Sequence, residues 1–176
     1  MRAVVSGAAV HAGGIGHHGP VTANEVSASE VRAAAWPDID PGTAYALLRL
    51  RVDVFVVEQR CPYPELDGRD TEPGTRHLWL ADPTGPTAYV RVLVEPDGGR
   101  RIGRVCTRPS ARGRGLAAAL MVHALTLVGD GSAVLDAQSH LQGWYERFGF
   151  VVDGAPFLED GIPHVPMRLG APTVEA

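Results

Sequence analysis

The sequence contains no lysine: the sixteen basic residues among its 176 are all arginine. That absence excludes Walker-type phosphate loops, Schiff-base chemistry and any lysine base. Only two cysteines are present, Cys61 and Cys106, so the chain is no disulfide scaffold. No run of about 20 apolar residues occurs, so no membrane span is expected. A basic surplus is missing too. The net charge of −4 argues against a general nucleic-acid coat, which needs positive charge to meet phosphate. What is present is an ordinary globular composition, 45% hydrophobic, in a chain long enough to bury a core without staples or metal.

Residues 1–27 carry five glycines and the histidines His11, His17 and His18, without usable periodicity. They read as a mobile tail, since such a segment cannot offset its own ordering entropy. The histidines lack a nearby thiolate or carboxylate, so no metal is expected. Residues 3–10 follow Arg2 like a faint signal peptide, but they are short and broken by Ser6 and Gly7; the expected location is cytoplasmic. A domain over 28–170 follows, then a tail over 171–176.

Within that domain, residues 31–36 read as a strand ended by Pro37. Thr43 is the expected cap of a helix to Glu58, with Leu47, Leu50, Val54 and Val57 at helical spacing. Residues 61–74, with three prolines and four acids, read as a loop. Strands are expected at 77–81, 87–94 and 101–107, joined by hairpin turns at Gly85-Pro86 and Asp97-Gly98-Gly99. A helix over 113–128 buries Leu120, Met121 and Ala124. A short strand over 134–137 precedes Ser139 and Gln142, which form a capping-box pattern before a helix carrying Trp144, Tyr145 and Phe148. Two strands, near Val151 and at 165–169, flank a loop of sequence LEDGIPH.

The chemistry-bearing stretch is RVCTRPSARGRGLAAALMVHAL, a strand entering a glycine loop that opens a helix. A helix N-terminus presents unpaired N–H groups and partial positive charge, which suit phosphate. Gly113 and Gly115 admit close approach, and Arg108, Arg112 and Arg114 add positive charge. Two readings compete. Gly113, Gly115 and Ala118 spell G-x-G-x-x-A, with Asp136 about twenty residues on, as a dinucleotide fingerprint asks. Against it, five residues separate the strand from the first glycine, and hairpins surround the motif instead of βαβ units.

Read from Arg112, the same residues give R-x-x-G-x-A through Gly115 and Ala117. This resembles the acetyl-CoA pyrophosphate loop of the GNAT N-acetyltransferase superfamily, and YERFGF at 145–150 resembles its second signature. LRLRVDVFVVEQRCPYPELDGRD (48–70), Arg76-His77, IGRV (102–105), LQGWYERFGF (141–150) and EDGIPH (159–164) are similar to the ElaA group of that superfamily. The resemblance covers about residues 36–169. It implies an α+β GNAT fold, with a mixed, mostly antiparallel sheet of about seven strands, flanked by helices and splayed at the acetyl-CoA strand. It also implies transfer of an acetyl group from acetyl-CoA to a primary amine by direct attack, without an acyl-enzyme.

The same resemblance assigns site residues. Backbone around Val105, Cys106 and Thr107 would hold the acetyl carbonyl and pantetheine arm. Arg112, Gly113, Arg114, Gly115, Leu116 and Ala117 would hold the pyrophosphate, with Trp144 and Tyr145 beside the cofactor. Tyr145 matches the general acid for the CoA thiolate; a phenol with a pKa near 10 suits that task. Its alternative is a packed core aromatic. For the base, three residues compete: Glu58 at the end of the first helix, His77 opening a central strand, and His164 on the late loop. Glu58 could instead be a surface carboxylate, His77 a satisfied core group, and His164 part of a rigid turn between Pro163 and Pro166. Cys61 and Cys106 read as structural. Glu65, Asp67, Asp70 and Glu72 form either a solvated loop or an acidic entrance favouring a cationic amine.

The expected partners are a small-molecule or peptide amine and a second copy in a homodimer, with no nucleic acid and no membrane. Three other readings remain open: a longer acyl-CoA, an acyl-CoA-binding module without turnover, and a dinucleotide-binding protein.

Overall fold

In a computed structural model, residues 31–170 are described. The expected tails, with His11, His17 and His18, lie outside them. Strand β1 (Arg32–Ala34) is shorter than expected, because Pro37 sits inside a 3₁₀ turn over Trp36–Asp38. Helix α1 (Pro41–Val52) follows. Its cap is Asp40 and not Thr43: Asp40 Oδ1 accepts a hydrogen bond from the Thr43 amide at 3.0 Å, with Pro41 pre-set at the first helical position. The helix continues as a π-helical turn over Asp53–Glu58, where Val54 and Phe55 are fully buried. The expected helix end at Glu58 is therefore found, with a wider last turn.

Strands β2 (Arg76–Asp82), β3 (Gly85–Val94) and β4 (Arg100–Thr107) form the expected antiparallel meander. Side chains alternate between faces along β3, as strand geometry requires. Ala88, Val90 and Val92 join one core with Leu120, Met121 and Ala124 of α2 (Leu116–Val128). Tyr89 joins the other, with Leu47, Leu50, Val54 and Phe55. Cys106 is fully buried in that second core, where burial pushes its thiol up and leaves it an inert apolar side chain.

The sheet continues through β5 (Ala133–Gln138) to β8 (Ile162–Leu169), with β6 (Val151–Val152) and β7 (Phe157–Glu159) both paired to β8. Among the described residues the sheet has eight strands where about seven were expected. The extra strand comes from LEDGIPH, which is a hairpin and not a loop. Asp160 (φ 49°) and Gly161 (φ 78°) supply the two positive φ values of a type I′ turn. The expected capping box does not form either. Ser139–Leu141 is a 3₁₀ turn and α3 (Gln142–Glu146) is a five-residue helix, neither with a side-chain cap.

Two features open the sheet. Parallel strands β4 and β5 pair only through Arg100–Ala133 and Arg101–Val134, so their far ends are unpaired with each other. A bulge also interrupts β4 against β3, where Tyr89 opposes Cys106 but Arg91 opposes Gly103. Arg104, with φ 56°, sits in that bulge.

Candidate active site

A groove of about 600 Å³ runs between the glycine loop and the α3 region. Thr107 at the end of β4 lines it, as do residues 111–118 and His140, Leu141, Gly143, Trp144 and Arg147. Gly113 and Gly115 both have φ of 74°, a conformation other residues rarely adopt. Gly115 is the N-cap of α2 and supplies no side-chain cap, so the helix's first N–H groups face the loop without one. The groove's lining includes three arginines and no carboxylate, which fits the charge and length of a CoA pyrophosphate.

The arginines divide their duties unexpectedly. Arg108 is drawn away to Asp82 Oδ2 (2.5 Å) and Thr84 Oγ1 (2.7 Å). Arg112 donates to both Glu58 oxygens, at 2.8 and 2.6 Å, and through Nε to the Thr107 carbonyl at 3.2 Å. Arg114 and Arg147 are exposed and have no ion-pair partner among the described residues. Arg147 and His140 had not been singled out from the sequence. Their signal was the spacing of His140, Trp144 and Arg147, at i, i+4 and i+7, facing the glycines.

Tyr145 is fully buried beside Trp144 and Phe150, with ring centroids 4.8 and 6.2 Å away. Its hydroxyl has no hydrogen-bond partner among the described residues, and burial pushes its pKa up. It is a core aromatic with an unpaired polar tip, and it is not among the residues that line the groove. Val105 and Cys106 are buried in β4 beyond the bulge, and Thr107 reaches the groove.

The base candidates separate clearly. His77 is fully buried: Nδ1 lies 2.6 Å from the Tyr89 hydroxyl and Nε2 lies 3.0 Å from the Asp70 carbonyl. An Nε2–H donor and an Nδ1 acceptor satisfy both contacts with a neutral ring, and burial lowers its pKa. Both nitrogens are thus occupied. His164 lies in β8, not on a loop. It is buried, with Nδ1 against the Ile162 carbonyl at 2.8 Å and its ring stacked on Phe157 at 5.8 Å. Glu58 is the half-exposed one, held by Arg112 at the end of α1's π turn.

Both readings of the acidic loop are overturned for three of its four acids. Glu65 and Asp70 are buried, and the Asp67 side chain is wholly so. Arg51 binds Glu65 and Asp70, each at 2.6 Å; Arg91 binds Asp67 at 2.6 Å and Asp70 at 2.9 Å; Arg104 binds Glu65 at 2.7 Å. Burial alone would raise the Asp67 carboxyl, but Arg91 and Arg104 outweigh it and hold it well below the usual range. These acids neither meet solvent nor line an entrance. Only Glu72, paired with Arg69, remains on the surface.

The dinucleotide fingerprint also fails. Asp136 does not line the groove; its carboxylate meets Arg101 at 2.8 Å. Eight residues, 108–115, separate β4 from α2, where that motif needs an immediate turn.

The GNAT acetyltransferase domain family matches residues 52–171. The chain belongs to the GNAT acetyltransferase family. It is 53% identical over 143 residues to the Mycobacterium tuberculosis protein named UPF0039 protein Rv2851c, covering 78% of this chain and 92% of that one. A Pseudomonas aeruginosa structure described as an acyl-CoA N-acyltransferase matches with a TM-score of 0.75 and 44% identity, covering 78% of this chain and 97% of that one. Escherichia coli ElaA matches with a TM-score of 0.74 and 36% identity, covering 79% and 97%. This GNAT protein therefore has the acyl-CoA N-acyltransferase fold, which supports acyl-CoA-dependent acyl transfer. Among the described residues no helix is long and apolar enough to cross a membrane, and no cluster of His, Cys, Asp and Glu could hold a metal.

Proposed function

We propose that this GNAT protein transfers an acetyl group from acetyl-CoA to a primary amine by direct attack within a ternary complex. The observation that carries this reading is the buried, unpartnered hydroxyl of Tyr145 next to Trp144, which lines the phosphate-suited groove. An unsatisfied buried hydroxyl costs about 1–3 kcal/mol. Such a cost is reasonable where a substrate atom completes the hydrogen bond.

In this reading each element has a role. The α2 N-terminus, Gly113, Gly115, Leu116 and Ala117 cradle the pyrophosphate. Backbone around Val105, Cys106 and Thr107, turned by the β4 bulge, holds the thioester carbonyl and steadies the oxyanion that forms there. Glu58 takes a proton from the acceptor ammonium, directly or through water, so that the neutral amine attacks the carbonyl carbon. As the carbon–sulfur bond breaks, Tyr145 donates its proton to the departing thiolate, and the proton lost from the ammonium to Glu58 leaves to solvent as the tyrosine is re-protonated once CoA departs. His77 and His164 serve as packed supports in this scheme, because both ring nitrogens of His77 are bonded and His164 is buried with Nδ1 on the Ile162 carbonyl.

The first test is thermal. Acetyl-CoA at about 100 times its Kd should stabilise the protein by ~2.7 kcal/mol and raise Tm by several degrees, while NADH should not. An amine panel under saturating acetyl-CoA, repeated with longer acyl-CoAs, then reads turnover and chain preference. Stabilisation by NADH alone would sink the proposal.

A further inference from the structure

Arg112 opens the R-x-x-G-x-A pattern and would be counted as phosphate charge on sequence grounds, yet all three of its guanidinium nitrogens are already engaged inside the chain. Nη1 and Nη2 grip the two oxygens of Glu58 as a bidentate fork, and Nε reaches back to the carbonyl of Thr107, the last residue of β4. The Arg112 side chain is only 19% exposed and that of Glu58 36%. Those contacts use three of the five guanidinium N–H donors, and the Glu58 carboxylate already balances the charge that a phosphate would seek. Arg114 and Arg147 line the same groove and have no such competitor among the described residues.

The π turn explains how Glu58 arrives there. Its wider hydrogen bonding, seen in Cys61 N to Val56 O at 3.2 Å, carries Glu58 and Gln59 over the open side of the sheet. Glu58 then meets Arg112 on the β4 side, and Gln59 meets Gln138 at the end of β5 at 3.4 Å. The end of α1 thus touches both diverging strands.

We infer that Arg112 is a positioning residue for Glu58 and not a ligand of the CoA phosphates, whose charge falls to Arg114 and Arg147. This rests on reading Glu58 as the base. The fork fixes the plane of the Glu58 carboxylate, and the Nε bond ties that carboxylate to the strand end where the acyl group is expected. A carboxylate has about four acceptor positions, so a two-bond fork does not by itself close it to an acceptor ammonium.

Calorimetric titration of acetyl-CoA into the wild type and into Arg112→Met, Arg114→Met and Arg147→Met separates the roles without needing turnover. Arg114→Met and Arg147→Met should each weaken binding about tenfold or more, as loss of a charged hydrogen bond does. Arg112→Met should bind within about threefold of the wild type while its kcat falls by about 10²-fold, the cost of misplacing a reacting group. Arg112→Lys, which keeps the charge without the fork, should recover part of kcat and guards against a folding failure. In an E58Q background, Arg112→Met should cost little further kcat, because the group it positions is already lost. An affinity loss in Arg112→Met matching that of Arg114→Met overturns the assignment, and so does an undiminished kcat. A wild type that binds acetyl-CoA but acetylates no amine overturns the acetyltransferase reading instead, and the titrations still decide whether Arg112 is a phosphate ligand.

Discussion

The two faces of the sheet bury polar groups on opposite terms. On the α1 side, Arg51, Arg91 and Arg104 meet Glu65, Asp67 and Asp70, with His77 and Tyr89 bonded to each other alongside. On the α2 side, a core of aliphatic and aromatic side chains encloses one hydroxyl, that of Tyr145, without a hydrogen-bond partner among the described residues. Matched charges, three of each sign, fix the 61–74 segment against the sheet. In the proposed mechanism, the Tyr145 hydroxyl is completed by a group from the acyl donor. The contrast concerns the charged groups of the α1 side, since Trp79 Nε1 on that side also lacks a hydrogen-bond partner among the described residues.

The largest effect should come from unbalancing the paired face. Arg91→Met leaves Asp67 and Asp70 buried beside one fewer cation, and such a loss costs about 3–5 kcal/mol. Urea denaturation should show a sharply lowered midpoint or an unfolded protein. A cost below about 1 kcal/mol would mean the network is wetter than its burial indicates.

Tyr145→Phe makes the opposite change on the other face. It removes only an unpaired hydroxyl, so the urea midpoint should hold or rise slightly. Acetyl-CoA affinity should be nearly unchanged, while kcat falls by about 10²-fold or more, the usual worth of a general acid. Unchanged turnover would reduce Tyr145 to packing.

Acid titration separates two kinds of group on the paired face. Burial lowers the His77 pKa, so the folded state refuses a proton that the unfolded chain accepts below about pH 6.5. Stability should therefore be level above that pH and decline beneath it. Asp67 and Asp70 are likewise held low, so they contribute stability above about pH 4 that is lost as the pH falls further. In His77→Gln the level region should extend down to about pH 4, leaving only the carboxylate step. Denaturation midpoints measured from pH 8 to pH 3 would show it, and an unchanged decline between pH 6.5 and 5 would assign that step elsewhere.

Periodicity made most of the fold legible. Strands β2 to β4 and helix α2 appeared close to their observed places because their apolar spacing is set by burial along each element itself. Local hydrogen-bond choices were less readable. Asp40 outcompeted Thr43 as a cap, and Ser139 fell in a 3₁₀ turn that the S-x-x-Q pattern does not distinguish from a helix start. Asp160-Gly161 is a hairpin signal that passed as loop because the run beside it, Phe157–Glu159, is so short. The groove's glycines were legible, and the arginine assignments were not. Arg112 meets a carboxylate 54 residues away, and Arg51 and Arg91 find theirs 14 to 24 residues away. Composition registers such charges without showing what they face. One signal was available: Arg91 interrupts the apolar run of β3, Arg104 sits between Gly103 and Val105 in β4, and a charge placed there must find a partner.

The smallest expected effect lies within the acidic segment itself and tests whether burial, and not mere acidity, separates its members. Glu72 sits two residues beyond Asp70, yet its side chain is 41% exposed against 10% for Asp70. It pairs with Arg69 at 3.0 Å in a setting where water screens the attraction and both side chains give up rotamer freedom. Glu72→Gln should cost no more than about 0.5 kcal/mol and lose even that in high salt. Asp70→Asn should cost several times more and respond little to salt, because Arg51 and Arg91 would both face a neutral amide in a buried site. Paired urea titrations in low and high salt read both quantities. Equal costs would show that these carboxylates act through the net charge of the segment, and the division between a wired interior and a solvated rim would fall with that result.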